Sequence, residues 1–204
     1  MPAIKRNSLR KLTEESDGAR TEYDYIPLQP GTMWENGYVR RLDMKLLKKK
    51  SMEELGALAS LCRDIFLENW DKIIFGPCIE GAVFEIMLTE PPKMALWDGY
   101  LTVTLPPGPA HFHLCIGNTK GLGKNKTPIK LARQRQCGKA AFFRTVRAKG
   151  CVPESYGIRF WNGDGDQMIT IFLPNPYLND KQKVLKSPDW NRLKLWKELR
   201  ERYI

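Results

Sequence analysis

Between Gly99 and Pro153 the chain contains no aspartate and no glutamate. Ten cations stand in that window: Lys120, Lys124, Lys126, Lys130, Arg133, Arg135, Lys139, Arg144, Arg147 and Lys149. They equal the whole formal net charge of +10, so the rest of the chain is close to balanced. A field of one sign over such a stretch attracts anions: nucleic acid, phosphate, or the carboxylates of a ligand. Cysteines form no CxxC pair. The five present (Cys62, Cys78, Cys115, Cys137, Cys151) are odd in number and scattered, which argues against a disulfide framework and for reduced thiols. No apolar run approaches the roughly 20 residues that cross a bilayer, so no membrane span is expected. The first residues, "MPAIKRNSLRKLTEESDGAR", lack the apolar stretch of a secretory signal and are acidic as well as basic, so the expected compartment is the cytoplasm. Internal repeats are absent too, and 204 residues are enough for one sizeable core.

What is present reads as an α+β fold. Residues 1–50 mix charges without a sustained period and read as a basic, partly mobile arm, in which "YDYIPL" has the pattern of an edge strand. Residues 51–204 read as one domain. Ser51 and Glu54 have capping-box spacing, and Leu55, Leu58, Cys62, Ile65 and Phe66 follow at helical intervals, which predicts a helix from Ser51 to about Lys72. Beyond "FGPC" the period becomes two. "AVFEIML" (82–88), "GYLTVTL" (99–105), "AHFHLCI" (110–116) and "KAAFFRTV" (139–146) alternate, and "SYGIRFWNGDGDQMITIFLP" reads as a hairpin about "NGDG". A short helix is expected after Thr127 as its cap, and a closing one from Pro188, capped by Ser187, with Leu193, Leu195, Trp196, Leu199 and Tyr203 as its stripe. The expected architecture is a single antiparallel sheet of about six strands with helices near both ends of the domain.

Histidine is scarce, and both copies sit in "GPAHFHLCIG". In a strand His111, His113 and Cys115 project from one face at roughly 7 Å intervals. Imidazole and thiolate are the ligands that zinc and iron favour, and Cys78, Glu80 and Glu85 in "FGPCIEGAVFEI" are candidates for a further ligand; a water in that place would make the site catalytic. The plainer reading is a solvated sheet face with Cys115 as filler. Cys115 stands where a third histidine would be needed for a histidine-triad nucleotide hydrolase, and "GNTKGLGKNKT" has one residue too many for a Walker phosphate loop, with Asn125 where Ser or Thr is required. The basic stretch 118–149 comes with Phe142, Phe143, Tyr156 and Trp161 on neighbouring strands, the pairing of charge and rings that binds single strands.

The last third also resembles the bacterial haem-utilisation (haem-trafficking) proteins, through Ser155, Phe160, Asn162, Gly165, Met168, Ile171 and Phe172. "CGKAAFFRTV" is similar to the strand preceding these in that family. The chain departs from that pattern near Thr170, where a basic residue is absent, and at "PNP" (174–176). The N-terminal half, with "HFHLCIG", looks like an uncharacterised bacterial domain family. The first resemblance implies a haem ligand, with His113 or His111 axial, Cys115 as the alternative, and Lys124, Lys126, Arg133 and Arg144 for the propionates. The function expected is therefore metal (Fe or Zn) or haem binding on the 111–115 strand, for iron or haem handling or a small metal-dependent reaction. The alternative is a non-enzymatic protein that binds nucleic acid or an acidic partner through 118–149. A second copy of the chain is a further expected partner.

Overall fold

Ser51 and Glu54 act as their spacing promises. In the computed structural model, which describes residues 12–16, 18–34, 41–79, 82–122, 124–150 and 152–204, the Glu54 amide donates to Ser51 Oγ at 3.2 Å. The Ser51 amide donates to the Glu54 carboxylate at 2.8 Å. The helix they open, α2 (Met52–Phe66), follows a shorter α1 (Met44–Lys49). It ends at Phe66 rather than near 72; a separate 3₁₀ turn covers Trp70–Lys72. Its first turn is set off by Gly56 at φ 76, which lets residues 29–34 approach: the amides of Thr32 and Met33 and the indole of Trp34 donate to the carbonyls of Glu53, Glu54 and Leu55.

The strands are β1 (Leu12–Ser16), β2 (Ala19–Tyr25), β3 (Arg41–Leu42), β4 (Ile74–Gly76), β5 (Cys78–Ile79), β6 (Ala82–Val83), β7 (Lys93–Trp97), β8 (Tyr100–Thr104), β9 (His111–Cys115), β10 (Gly121–Leu122), β11 (Asn125–Lys126), β12 (Cys137–Arg147), β13 (Glu154–Asn162) and β14 (Gln167–Phe172). A six-stranded antiparallel sheet has the order β1-β2-β12-β13-β14-β4. A second sheet of four strands has the order β3-β7-β8-β9, with β9 at its edge. The α+β class and the six-stranded antiparallel sheet match the sequence reading; the membership of that sheet does not. The strands at 100–104 and 111–115 belong to the smaller sheet. The segment 82–88 is not a sheet strand: beyond the two-residue hairpin with β5, only Ile86 bridges back to Phe75, and Val83, Phe84 and Met87 are exposed. Alternation there marks faces without supplying a partner.

Part of the segment read as an arm lies inside the large sheet, because β2 pairs along β12 from Tyr25↔Ala141 to Ala19↔Arg147. Residues 1–11, 17 and 35–40 of that segment lie outside the described residues. Two helix starts also shift. The helix α3 (Ile129–Arg135) begins after Pro128, whose extended ψ of 141° leaves Thr127 too early to cap it. At the C-terminus Asp189, not Ser187, caps a 3₁₀ turn over Trp190–Leu193, and α4 (Lys194–Tyr203) follows.

One apolar core is shared by the inner faces of both sheets, α2 and α4. Phe66 of α2, Phe75 of β4 and Phe112 of β9 meet with ring centroids 5.1–5.5 Å apart, joining helix, large sheet and small sheet. The last helix is fastened by the buried Asp64 of α2. Its Oδ2 accepts from Arg202 Nη1 at 2.6 Å and from the Tyr203 hydroxyl at 2.7 Å, while Oδ1 accepts from Arg63. Asp64→Ala strands the Tyr203 hydroxyl, which is 5% exposed, and is expected to destabilise by about 2–3 kcal/mol. Arg202→Ala, at a side chain 56% exposed, should cost less than about 1 kcal/mol. Urea unfolding of both variants checks the contrast, and equal losses would mean the carboxylate is not the fastening point.

Candidate functional site

The turn between β7 and β8 is the two residues Asp98 and Gly99, both at positive φ (48° and 78°), the conformation that tight hairpins require. Its side chain does more than turn the chain. The buried Asp98 carboxylate accepts from Thr119 Oγ1 at 2.7 Å, the Lys120 amide at 2.9 Å and the Gly121 amide at 3.0 Å. That clamp fixes the start of the basic hairpin β10–β11 against one end of the small sheet. The chain then enters α3, which ends at Arg135.

The outer face of the small sheet is laid out by the register of its strands. One row is Arg41, Trp97, Tyr100 and Cys115; the next is Ala95, Thr102 and His113; the last is Lys93, Thr104 and His111. None of these is acidic, and Trp97 is 50% exposed. The rings form a file: Tyr100 to His113 is 6.3 Å between centroids and His113 to His111 is 4.9 Å, each pair edge-on.

His111 Nδ1 lies 3.0 Å from the Pro109 carbonyl. A carbonyl only accepts, so Nδ1 carries the proton and Nε2 of the neutral ring keeps its lone pair. His113 Nδ1 is 2.8 Å from the Thr102 hydroxyl. Burial, and then the charge of His111, hold the His113 imidazole below its ordinary range. Cys115 shares their face but not their exposure. It is buried opposite Tyr100 with its thiol toward the Gly117 carbonyl, and burial pushes that thiol up to about 11.

Residues 42–204 match the model of a "Family of unknown function (DUF7676)". The chain belongs to that family. Within this DUF7676 member the match takes in β7, β8, β9, the basic hairpin and both ends of the Asp98 clamp. No curated protein and no solved structure matches it. Nothing in these comparisons reproduces the likeness of the last third to haem-utilisation proteins.

Of the metal ligands expected from the sequence, the structure brings His111 and His113 together and sets Cys115 beside them in a buried place. Glu85 is exposed in the irregular segment after β6, and the side chain of Cys78, like Glu80, lies outside the described residues. Among the described residues no three His, Cys, Asp or Glu side chains gather as a metal centre would need. Lys124, Lys126 and Arg133 are exposed on the hairpin and α3. Arg144 is on the large sheet and is engaged by Glu154 through two hydrogen bonds of 2.8 and 3.0 Å, with Tyr156 also donating to that carboxylate. The rings expected to accompany the basic stretch are not available. Phe142, Phe143, Tyr156 and Trp161 are buried, because both faces of the large sheet are filled. On the outer face of the small sheet, by contrast, Trp97 is exposed and Tyr100 half-buried. "WDGY" was the signal for them, since Asp-Gly between alternating runs marks a hairpin.

Burial also pushes the Cys137 thiol up to about 12 and raises that of Cys62. At pH 8 a thiol near 11 is ionised to about one part in a thousand, and the thiolate is the reactive form. Cys62, Cys115 and Cys137 should therefore resist iodoacetamide in the native protein and react once urea unfolds it, as read by peptide mass mapping. Rapid native labelling of Cys115 would show that the end of the face under Tyr100 opens.

Proposed function

We propose that this protein is a binding protein for anionic ligands and that the ligand lies on the outer face of the small sheet. The observation that carries this reading is the Asp98 clamp, which joins a sheet face without carboxylates to the acid-free basic segment. Lys93 and Arg41 flank the rings on the sheet; Lys124, Lys126 and Arg133 stand exposed on the elements that the clamp anchors. Charges of one sign on neighbouring elements raise the local concentration of a multivalent anion, and salt screens the effect. Labelled inorganic polyphosphate should bind in fluorescence anisotropy and weaken at least tenfold as salt rises from about 50 to 200 mM. The triple variant Lys124→Glu/Lys126→Glu/Arg133→Glu should lose about tenfold more. A control at Lys181, Lys183 and Lys186, exposed lysines of another loop, should leave binding unchanged. Equal loss in both triple variants would reduce the effect to net charge and end the proposal.

A second reading rests on the hydrogen bond of His111 to Pro109. A ligating histidine ordinarily donates its other ring N–H to a carbonyl or carboxylate, and His111 is already so held. With His113 beside it, the pair makes a two-imidazole chelate for a divalent transition metal such as zinc, with the other positions left to water or to oxygen of a ligand. Haem fits less well. It needs an apolar slot around the macrocycle, whereas these imidazoles stand on an open face. One cavity among the described residues is lined by Gly18, Arg20 and Arg147 and another by Trp34, Leu58 and Cys137; neither includes His111 or His113. Arg144 is engaged elsewhere. Equilibrium dialysis against zinc should give about one ion per chain, lost in either His111→Ala or His113→Ala. Equal uptake by wild type and the double variant would dispose of the chelate.

A further inference from the structure

We infer that the anion carried on the outer face of the small sheet is single-stranded nucleic acid, with its bases stacked along the file of Trp97, Tyr100, His113 and His111. This rests on the anionic-ligand reading and names its ligand class.

Charge alone would suit any polyanion, but this face combines charge with rings. Trp97 is half exposed and directly opposite Tyr100 across the β7–β8 pair, and Tyr100, His113 and His111 continue the file at 6.3 and 4.9 Å. A large exposed aromatic leaves apolar surface in water, a loss that a stacked base removes. Bases in a duplex have their faces covered by their neighbours, so only an unpaired strand can use such rings. From the row of Trp97 to the row of His111 is four residues along a strand, about 13 Å, which at 3.4 Å or more per nucleotide holds no more than about four bases.

The polar groups agree with this ligand. The hydroxyls of Thr102 and Thr104 alternate with the rings on the same face, and Lys93 and Arg41 lie at its margin. Such groups meet phosphates and sugars without reading sequence. No carboxylate stands at the outward positions of β3, β7, β8 or β9 to repel a backbone, and Asp98 in the β7–β8 turn is buried against the 119–121 loop. The Trp97 end of the face is also the end where the Asp98 clamp holds the start of the basic hairpin. The face is open rather than enclosed, which suits a polymer lying across it better than a small ligand that must be surrounded.

The test uses the full chain with fluorescein-labelled oligo(dT) and oligo(U) of about fifteen nucleotides, a duplex of the same length, and inorganic polyphosphate. At about 50 mM salt, one or both single strands should bind at least tenfold more tightly than the duplex and the polyphosphate, and should quench tryptophan fluorescence. Trp97→Ala should weaken the single strand about tenfold and leave polyphosphate binding unchanged, and Trp97→Phe should recover part of the loss. Circular dichroism confirms that these surface variants fold. If polyphosphate binds as well as the oligonucleotides and Trp97→Ala changes neither, the stacking inference falls while the anionic face stands. Tighter binding of the duplex overturns it as well. If no polyanion binds, both readings fall together.

Discussion

A single buried carboxylate decides where the positive charge of this protein is displayed. Removing the Asp98 carboxylate from water is costly, and three donors from residues 119–121 offset that cost. The clamp does not stand alone. The amides of Ile116 and Gly117 donate to the Gly99 carbonyl, and Gly117 packs so closely on Trp34 that a Cβ there would lie 2.0 Å from the indole. Trp34 in turn donates to the Leu55 carbonyl at the Gly56 break in α2. From helix to loop to sheet, a continuous set of close contacts holds the basic hairpin in one place. A flexible cationic loop would spread its charge over many positions; this one is delivered to the edge of a particular sheet face.

The two sheets use their aromatic residues in opposite ways. On the far face of the large sheet Tyr23, Phe143 and Trp161 are buried, and cations close over them: Lys139 Nζ stands 4.5 Å from the Trp161 ring centroid and the Arg159 guanidinium 4.9 Å from that of Phe143. Those rings and cations satisfy one another, in a geometry that stabilises a sheet and leaves nothing to offer a ligand. On the outer face of the small sheet the rings are left open and the cations stand to the side. That difference is the reason for assigning ligand binding to the small sheet, although the large one holds more aromatic surface.

Local signals were legible in the sequence, and long-range ones were not. Ser51 with Glu54, and the "NGDG" turn, are settled within a few residues, so spacing alone identifies them. The shared face of His111, His113 and Cys115 was equally plain, since alternation follows from backbone geometry. Their unequal exposure was not, because it depends on the neighbouring strand, where Tyr100 stands opposite Cys115. Sheet membership failed for the same reason. A period of two tells which side chains share a face and says nothing of the partner strand, so β2 could not be matched to β12 across more than a hundred residues, and the two sheets were read as one.

The two readings of the small-sheet face are physically coupled. A divalent ion held by His111 and His113 would add positive charge to a surface that already carries Lys93 and Arg41 and has no carboxylate to balance it. Two imidazoles fill only half of a tetrahedral shell, so such an ion would be completed best by an anionic oxygen, and a phosphate supplies one. By linkage, each ligand would then raise the affinity of the other by the same factor. The reverse also holds: a stacked base that covers both imidazoles would exclude the ion. Which of these occurs depends on whether the strand presents a phosphate or a base at the row of His111, which is the edge-strand end of the file and the part of the face farthest from the Asp98 clamp.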